Sequence, residues 1–322
     1  MEEMEDDNDI PSSSHGKYIS TAEIKSMWNL MKISANLGTP EQCVKFAEDT
    51  GLILRSKLCS THRIPMSHNI RGNSILGTFR CRERSCRNKS GFSRAKGTWF
   101  ENSRLSLPLI FYLMYCYAHN WPHASVRLEN FVGDSVLSSE TITDWYNYCR
   151  EAVVCYQIDK QEAIGKIGGP GKKVQIDEIK FAKRDQNKGG KVEGHWLLGI
   201  IEDGSEDLRL ESCHDDVRSV QVILPLIKKH VEEGTTIRTD FWESCDSLVN
   251  SGYQYQKVDS DKHQRIDSQW RVVKRFYYRN YIKNSTNFAD MIVEFLWRKS
   301  ISRKHGDPFV KLIEAIKYSF KP

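Results

Sequence analysis

The chain has 322 residues, 39% hydrophobic and 28% charged, with a formal net charge of +5 and a mean hydropathy of −0.55. That length fits two or three globular domains of about 100–200 residues each. It excludes a bilayer-embedded fold, because the longest apolar stretch, around Leu105–Ala118, is too short and too polar to span one.

The acidic opening Met1-Glu2-Glu3-Met4-Glu5-Asp6-Asp7 has neither the basic nor the apolar region of a secretory signal, so an intracellular, non-secreted protein is expected. Nine cysteines, an odd number in a chain of this size, favour reduced thiols and metal ligands over disulfides. Charge is uneven. Residues 51–104 carry twelve basic and two acidic side chains, and residues 262–322 fourteen and five. Residues 1–50 are net acidic, as is the middle of the chain. Basic flanks point to a polyanionic partner, and the acidic middle offers carboxylates for metal ions.

Taken in chain order, residues 1–50 read as a disordered acidic tail over 1–16 followed by short helices. One helix opens with Thr21 as N-cap and runs to about Ile33, and a second starts at Pro40. Residues 51–104 have little helical period and form a small loop-rich module. Residues 105–166 turn helical, with helices over Leu105–His119, Ser125–Val132 and Ser138–Tyr156. The short connection Gly133–Leu137 and the Ser138 N-cap give a helix-turn-helix outline. Ile167-Gly168-Gly169-Pro170-Gly171 is a linker.

From 172 to 322 the pattern is three strands (Lys173–Lys180, His195–Glu202, Leu208–Cys213), a helix (Val217–Glu232) and two further strands (Thr235–Phe241, Tyr253–Val258). Basic helices follow from Arg265. That order is an α/β, RNase H-like mixed sheet with flanking helices.

Two groups carry chemistry. Cys59-x2-His62 and Cys81-x4-Cys86, eighteen residues apart, are two knuckles of soft ligands that can close a tetrahedral zinc site and stabilise a module with little core of its own. Arg80, Arg82, Arg84, Arg87 and Lys89 stud the second knuckle and would face phosphate. The second group is acidic. Asp177 and Asp240 each end an apolar strand, and carboxylates at the ends of neighbouring strands can hold divalent metal for phosphoryl chemistry. Asp177 and Glu178 point to opposite faces, so only one is expected to join Asp240, and Asp177 is taken because Ile176 shares the other face. A third acid, Asp267, comes from the later helix, with Trp270 one turn on as its anchor. On the helix from Ser138, Thr141, Thr143, Asn147 and Arg150 could reach base edges. Trp99 and Phe100 read as small-core aromatics, and Cys116, Cys149 and Cys155 as core thiols.

Several runs together resemble the Merlin superfamily of cut-and-paste DNA transposases and its bacterial insertion-sequence relatives with an ISXO-type DDE domain. They are Gly97-Thr98-Trp99-Phe100-Glu101, Val174-Gln175-Ile176-Asp177-Glu178-Ile179-Lys180-Phe181, Lys191–Gly199, Gly234–Trp242, Ile266–Arg275 and Glu294-Phe295-Leu296-Trp297-Arg298 with Asp307-Pro308-Phe309. The resemblance spans about residues 50–320. It implies a zinc ribbon and helix-turn-helix that bind transposon ends, followed by a catalytic core using Mg²⁺ or Mn²⁺ on Asp177, Asp240 and Asp267. Lys274 and Arg275 would contact phosphate. The implied partner is double-stranded DNA, as terminal inverted repeats and target. Self-association into a homo-oligomer is compatible with it. The implied location is the nucleus of a eukaryotic host, or otherwise the cytoplasm.

Three departures stand out: Asp267 where the family has Glu, a short loop over Val258–Arg265, and His62 where a Cys is commoner. They leave a second reading open, a transposase-derived, catalytically impaired DNA-binding protein.

Overall fold

The computed structural model describes residues 19–69, 76–86, 91–133, 136–182, 194–213, 219–240, 245–258, 265–280 and 287–321. The acidic tail over 1–16, Arg87, Lys89 and most of the short loop before Arg265 lie outside them. Three helices come first: α1 (Thr21–Ser26), α2 (Leu30–Leu37) and α3 (Pro40–Thr50). The single helix expected from Thr21 to Ile33 is thus two. Ser20, not Thr21, caps α1 by accepting from Glu23 N. Asn29 caps α2 by accepting from Lys32 N at 2.9 Å, and between them Trp28 N donates to the Asp307 carboxylate, 279 residues away. A distant partner therefore breaks a helix that local propensity alone would continue.

The loop-rich module holds a three-stranded antiparallel sheet of β1 (Ser67–Asn69), β2 (Thr78–Arg80) and β3 (Phe92–Ser93). Helices α4 (Leu107–Ala118), α5 (His123–Leu128) and α6 (Ser139–Ile164) follow. Ser138 caps α6, accepting from Thr141 N at 3.1 Å. Apolar side chains recur all round α4, which is why it is buried on every side. It lies in one core with Ile33 and Leu37 of α2, Cys149 and Val153 of α6, Leu76 and Phe100 of the loop-rich module, and Trp297, Phe309 and Leu312 from near the carboxyl end. Helices α2 and α3 and the helices after residue 287 therefore close the same helical core.

Next come β4 (Ile167–Gly168), β5 (Lys173–Ala182), β6 (Gly194–Glu202), β7 (Leu208–Cys213), α7 (Val220–His230), β8 (Val231–Glu232) and β9 (Thr236–Thr239). They are followed by α8 (Cys245–Asn250), β10 (Gln254–Lys257), α9 (Arg265–Asn280), α10 (Phe288–Arg303) and α11 (Pro308–Ser319). The fold is α/β, with a mixed five-stranded sheet in the order β10-β9-β5-β6-β7. β5–β6 and β6–β7 pair antiparallel, whereas β9 pairs parallel with both β5 and β10.

Alternation along the strands sorts two cores. Val174, Ile176, Leu198, Ile200 and Ile237 pack with Ile223 and Ile227 of α7. Phe181, Leu197, Ile201 and Leu210 pack with Ile266, Trp270 and Val273 of α9 and with Phe295 of α10. The glycine linker is partly structured, since β4 pairs parallel with β8. Gly168 has φ +89°, and a Cβ there would lie 2.4 Å from Thr235 Oγ1, so no larger residue fits. Among the described residues no helix is long and apolar enough to cross a membrane.

Candidate functional site

The first site is local in sequence. The Cys59–His62 knuckle is closed by Arg63 N donating to Cys59 O at 2.9 Å, with Arg63 in the left-handed region at φ 57°. Opposite it, Cys86 N donates to Glu83 O at 3.1 Å. These turns bring Cys59, His62, Cys81 and Cys86 together as a Cys3His group able to hold a metal ion. Cys59 Sγ lies 3.9 Å from Cys86 Sγ and 3.7 Å from His62 Nδ1, and Cys81 Sγ lies 3.6 Å from the same nitrogen. Tetrahedral bonds of about 2.3 Å to sulfur and 2.1 Å to nitrogen would set ligand–ligand spacings of roughly 3.8 and 3.6 Å, which these three distances match. His62 Nε2 faces Ser85 Oγ at 3.3 Å. That contact suits the tautomer that donates from Nε2 and leaves Nδ1 for metal. The backbone N–H groups of His62 and then Thr61 hold the Cys59 thiol down at about 6. Among the described residues, Met66 and Phe79, with Ile64 and Phe92 at the margin, form an apolar core beside the cysteines.

The second site is built by strand register. Val174 pairs with Ile237 and Gln175 with Arg238 across the parallel β5–β9 ladder. Two residues further along each chain, Asp177 and Asp240 stand level. Helix α9 then docks on the face of the sheet that carries Asp177. Ile266 N donates to Gln175 Oε1 at 3.2 Å, and Trp270 Nε1 donates to Asp177 Oδ2 at 2.6 Å. Trp270 thus anchors α9 directly to the first acid.

Gly199, paired with Asp177 on β6, makes that docking feasible. A Cβ there would stand 2.6 Å from Trp270 Cη2 and 3.1 Å from Ile266 Cδ1. Gly199→Ala is therefore expected to push the indole off the sheet, at a cost of about 1–3 kcal/mol. Urea unfolding and the tryptophan emission spectrum would read the change. An unchanged midpoint and spectrum would show that Trp270 is not seated as described.

Asp177, Glu178 and Asp240 form the acidic group, with one oxygen of each within 4.8 Å of the others. This corrects the expectation that Glu178, on the opposite face, would stay out. Among the described residues β9 pairs with β5 only as far as Gln175, so the alternation of a fully paired strand does not decide where the Glu178 carboxylate lies. Asp267, the expected third acid, is not in that group. It stands close enough for its charge to act on Asp177. Burial first, then the charges of Asp240 and Asp267, raise the Asp177 carboxyl above its ordinary value. The Trp270 N–H and the Glu178 backbone N–H oppose the rise. A part-buried carboxylate crowded by like charge is a setting that a cation would relieve.

The basic residues divide. Arg80, Arg82 and Arg84 are exposed beside the Cys3His group, and Lys274 and Arg275 are exposed on α9, all free to meet an anion. Thr141 is half-buried, its hydroxyl 3.1 Å from Ser138 Oγ at the α6 cap. Arg150 is corrected. Its Nε donates to Glu294 Oε2 at 2.7 Å and its Nη1 to Asn147 at 2.6 Å, so its guanidinium is committed within the helical core rather than to base edges. Arg298 Nε donates to the same Glu294 at 2.8 Å. Sequence reasoning missed this pair because 144 residues separate Arg150 from Glu294. Phe100 is fully buried and Trp99 packs edge-on to Trp145 at 5.3 Å, both core roles as expected. Cys116 and Cys149 are buried, but Cys155 is exposed and no core thiol.

No protein-family model matches the chain, and no curated protein matches it. Among solved structures, the chain is similar to one in the cryoEM structure of the simian T-cell lymphotropic virus intasome in complex with PP2A regulatory subunit B56 gamma. The match is at 13% identity and a TM-score of 0.29, covering 56% of this chain and 66% of that one. The chain thus spans just under two thirds of the length of that neighbour.

Proposed function

We propose that the chain is a DNA transposase of the cut-and-paste kind, with an RNase H-like core over 172–322. Before it stand a zinc-ribbon module over 51–104 and a helix-turn-helix region over 105–166 that bind transposon-end DNA. The observation that carries this reading is the register that levels Asp177 with Asp240 while Trp270 ties α9 to Asp177. The strand order supports it, with three antiparallel strands and two parallel additions beside β5, as does the resemblance to the Merlin superfamily and its bacterial relatives.

Cys59, His62, Cys81 and Cys86 would hold structural Zn²⁺. Asp177 and Asp240, with Asp267 or Glu178 as the third acid, would hold Mg²⁺ or Mn²⁺, which when bound activates water or a 3′-hydroxyl and neutralises the leaving oxygen. Trp270 orients the Asp177 carboxylate. Lys274 and Arg275 bind phosphate along α9, and Arg80, Arg82 and Arg84 do so beside the zinc knuckles. Partners are the terminal inverted repeats and target DNA, met in the nucleus if the host is eukaryotic.

The second reading, a binding protein derived from such an enzyme, is favoured by one observation: Asp267 lies outside the group that Glu178 joins. Mn²⁺-dependent plasmid nicking by the full chain decides between them. Nicking by the parent chain that disappears in Asp177→Ala is the expected result. Nicking only by Asp267→Glu would hand the case to the binding protein, and nicking by neither would remove the enzyme reading altogether.

A further inference from the structure

Between the end of α6, the start of β7 and α10 lies a cavity of about 240 Å³. Five cations line it, Lys160, Arg209, Lys299, Arg303 and Lys304, against two acids, Glu206 and Asp207. Both acids already have partners: Asp207 accepts from Arg209 Nη2 at 3.0 Å and Glu206 from Arg265.

The informative member is Arg209. Only 2% exposed, it also reaches the Gln161 carbonyl, at 3.4 Å, yet its buried Nε meets no acceptor among the described residues. A buried guanidinium N–H without an acceptor costs on the order of 1–3 kcal/mol, and the rest of the side chain places a fixed positive charge at the cavity. Gln157 of α6, 6% exposed, lines the same cavity, and its Oε1 has no donor among the described residues. Lys299 adds a sign of crowding. Burial pushes its ammonium down, Glu206 opposes that, and the nearby Arg303 and Arg265 push it down further. A surplus of cations around a recessed arginine suits a multivalent oxyanion, whose oxygens can accept from several directions at once.

We propose that this cavity binds a phosphate group, either the terminal phosphate of a nucleic-acid strand or free phosphate. Arg209 supplies a fixed positive charge beside it, and Arg303 and Lys304 are the exposed arms that close on it. The free-anion form stands apart from the transposase reading. The strand-end form rests on that reading's DNA binding. Neither uses the carboxylate site.

The test uses the full chain at constant ionic strength, with pyrophosphate titrated against chloride and the melting temperature and heat of binding recorded. The parent chain should be stabilised by pyrophosphate. The Arg303→Glu/Lys304→Glu double variant, altered only at exposed positions and so still folded, should bind it at least about tenfold more weakly.

In the second arm, duplexes with and without a 5′-phosphate are compared. Tighter binding of the phosphorylated end by the parent chain alone assigns the ligand to a strand end. Equal binding of both duplexes with the pyrophosphate effect intact assigns it to the free anion. Loss of all DNA binding with pyrophosphate binding intact sinks the DNA reading and leaves the cavity assignment standing. No pyrophosphate effect in the parent chain, or one undiminished in the double variant, overturns the proposal.

Discussion

Cys59→Ser chains are expected to leave purification without zinc, whereas the parent chain carries it stoichiometrically. The size of the effect follows from what the metal would stabilise. Among the described residues the apolar core beside the cysteines is little more than Met66 and Phe79, small for ordering a loop-rich segment against its chain entropy. In small finger peptides zinc contributes about 10–16 kcal/mol, nearly all of it as folding free energy.

The lesion should nonetheless stay local. Leu76, Ala95 and Phe100 belong to the helical core rather than to the small core beside the Cys3His cluster. Arg94, 3% exposed, is held by Glu48 of α3 and by the Leu54 carbonyl at 2.9 Å. Limited proteolysis of the variant should therefore cut between about Lys57 and Phe92 while the sheet and helices survive, and chelation of the parent chain should reproduce that pattern. A variant that keeps its metal, or one as protease-resistant as the parent chain after verified metal loss, would falsify the assignment.

What was legible in the sequence follows the range of the forces involved. The Cys3His cluster was legible because short turns fix the positions of its side chains within a few residues. The Asp177–Asp240 pair was legible because an acid at the end of an apolar strand is conspicuous, and parallel neighbours bring such ends level. Glu178 was not, because period-two alternation assigns faces but does not say where a neighbouring strand stops pairing. Arg150 was misread because its partner, Glu294, lies on a helix far along the chain. The break between α1 and α2 was hidden for the same reason, since Asp307 holds the Trp28 backbone. The joint core of amino-terminal and carboxyl-terminal helices was equally hidden, because amphipathic periodicity shows that a helix buries a face without naming what covers it.

The largest functional effect is expected at Asp240, and its stability effect should have the opposite sign. The Asp177 carboxyl is raised above its unfolded value, chiefly by burial and in part by Asp240 and Asp267. A raised folded-state value means that Asp177 costs no stability below the ordinary carboxylate range. Stability is then lost as pH rises through the raised value, and at neutral pH the metal-free protein carries the full cost.

Asp240→Asn removes one of the opposing charges. The metal-free variant should thus melt slightly higher than the parent chain at neutral pH, by less than about 1 kcal/mol because Asp240 is exposed, and identically at pH values where Asp177 is protonated. With Mn²⁺ the order reverses. The parent chain should gain about 2.7 kcal/mol at a hundredfold excess over its Kd, the gain shrinking as pH falls into the carboxylate range, while the variant gains almost nothing and no longer nicks DNA. Thermal melts with and without Mn²⁺ across that range measure both halves. If the metal-free variant melted below the parent chain at neutral pH and still bound Mn²⁺, the two aspartates would not share a site, and the register argument that brings them level would be wrong.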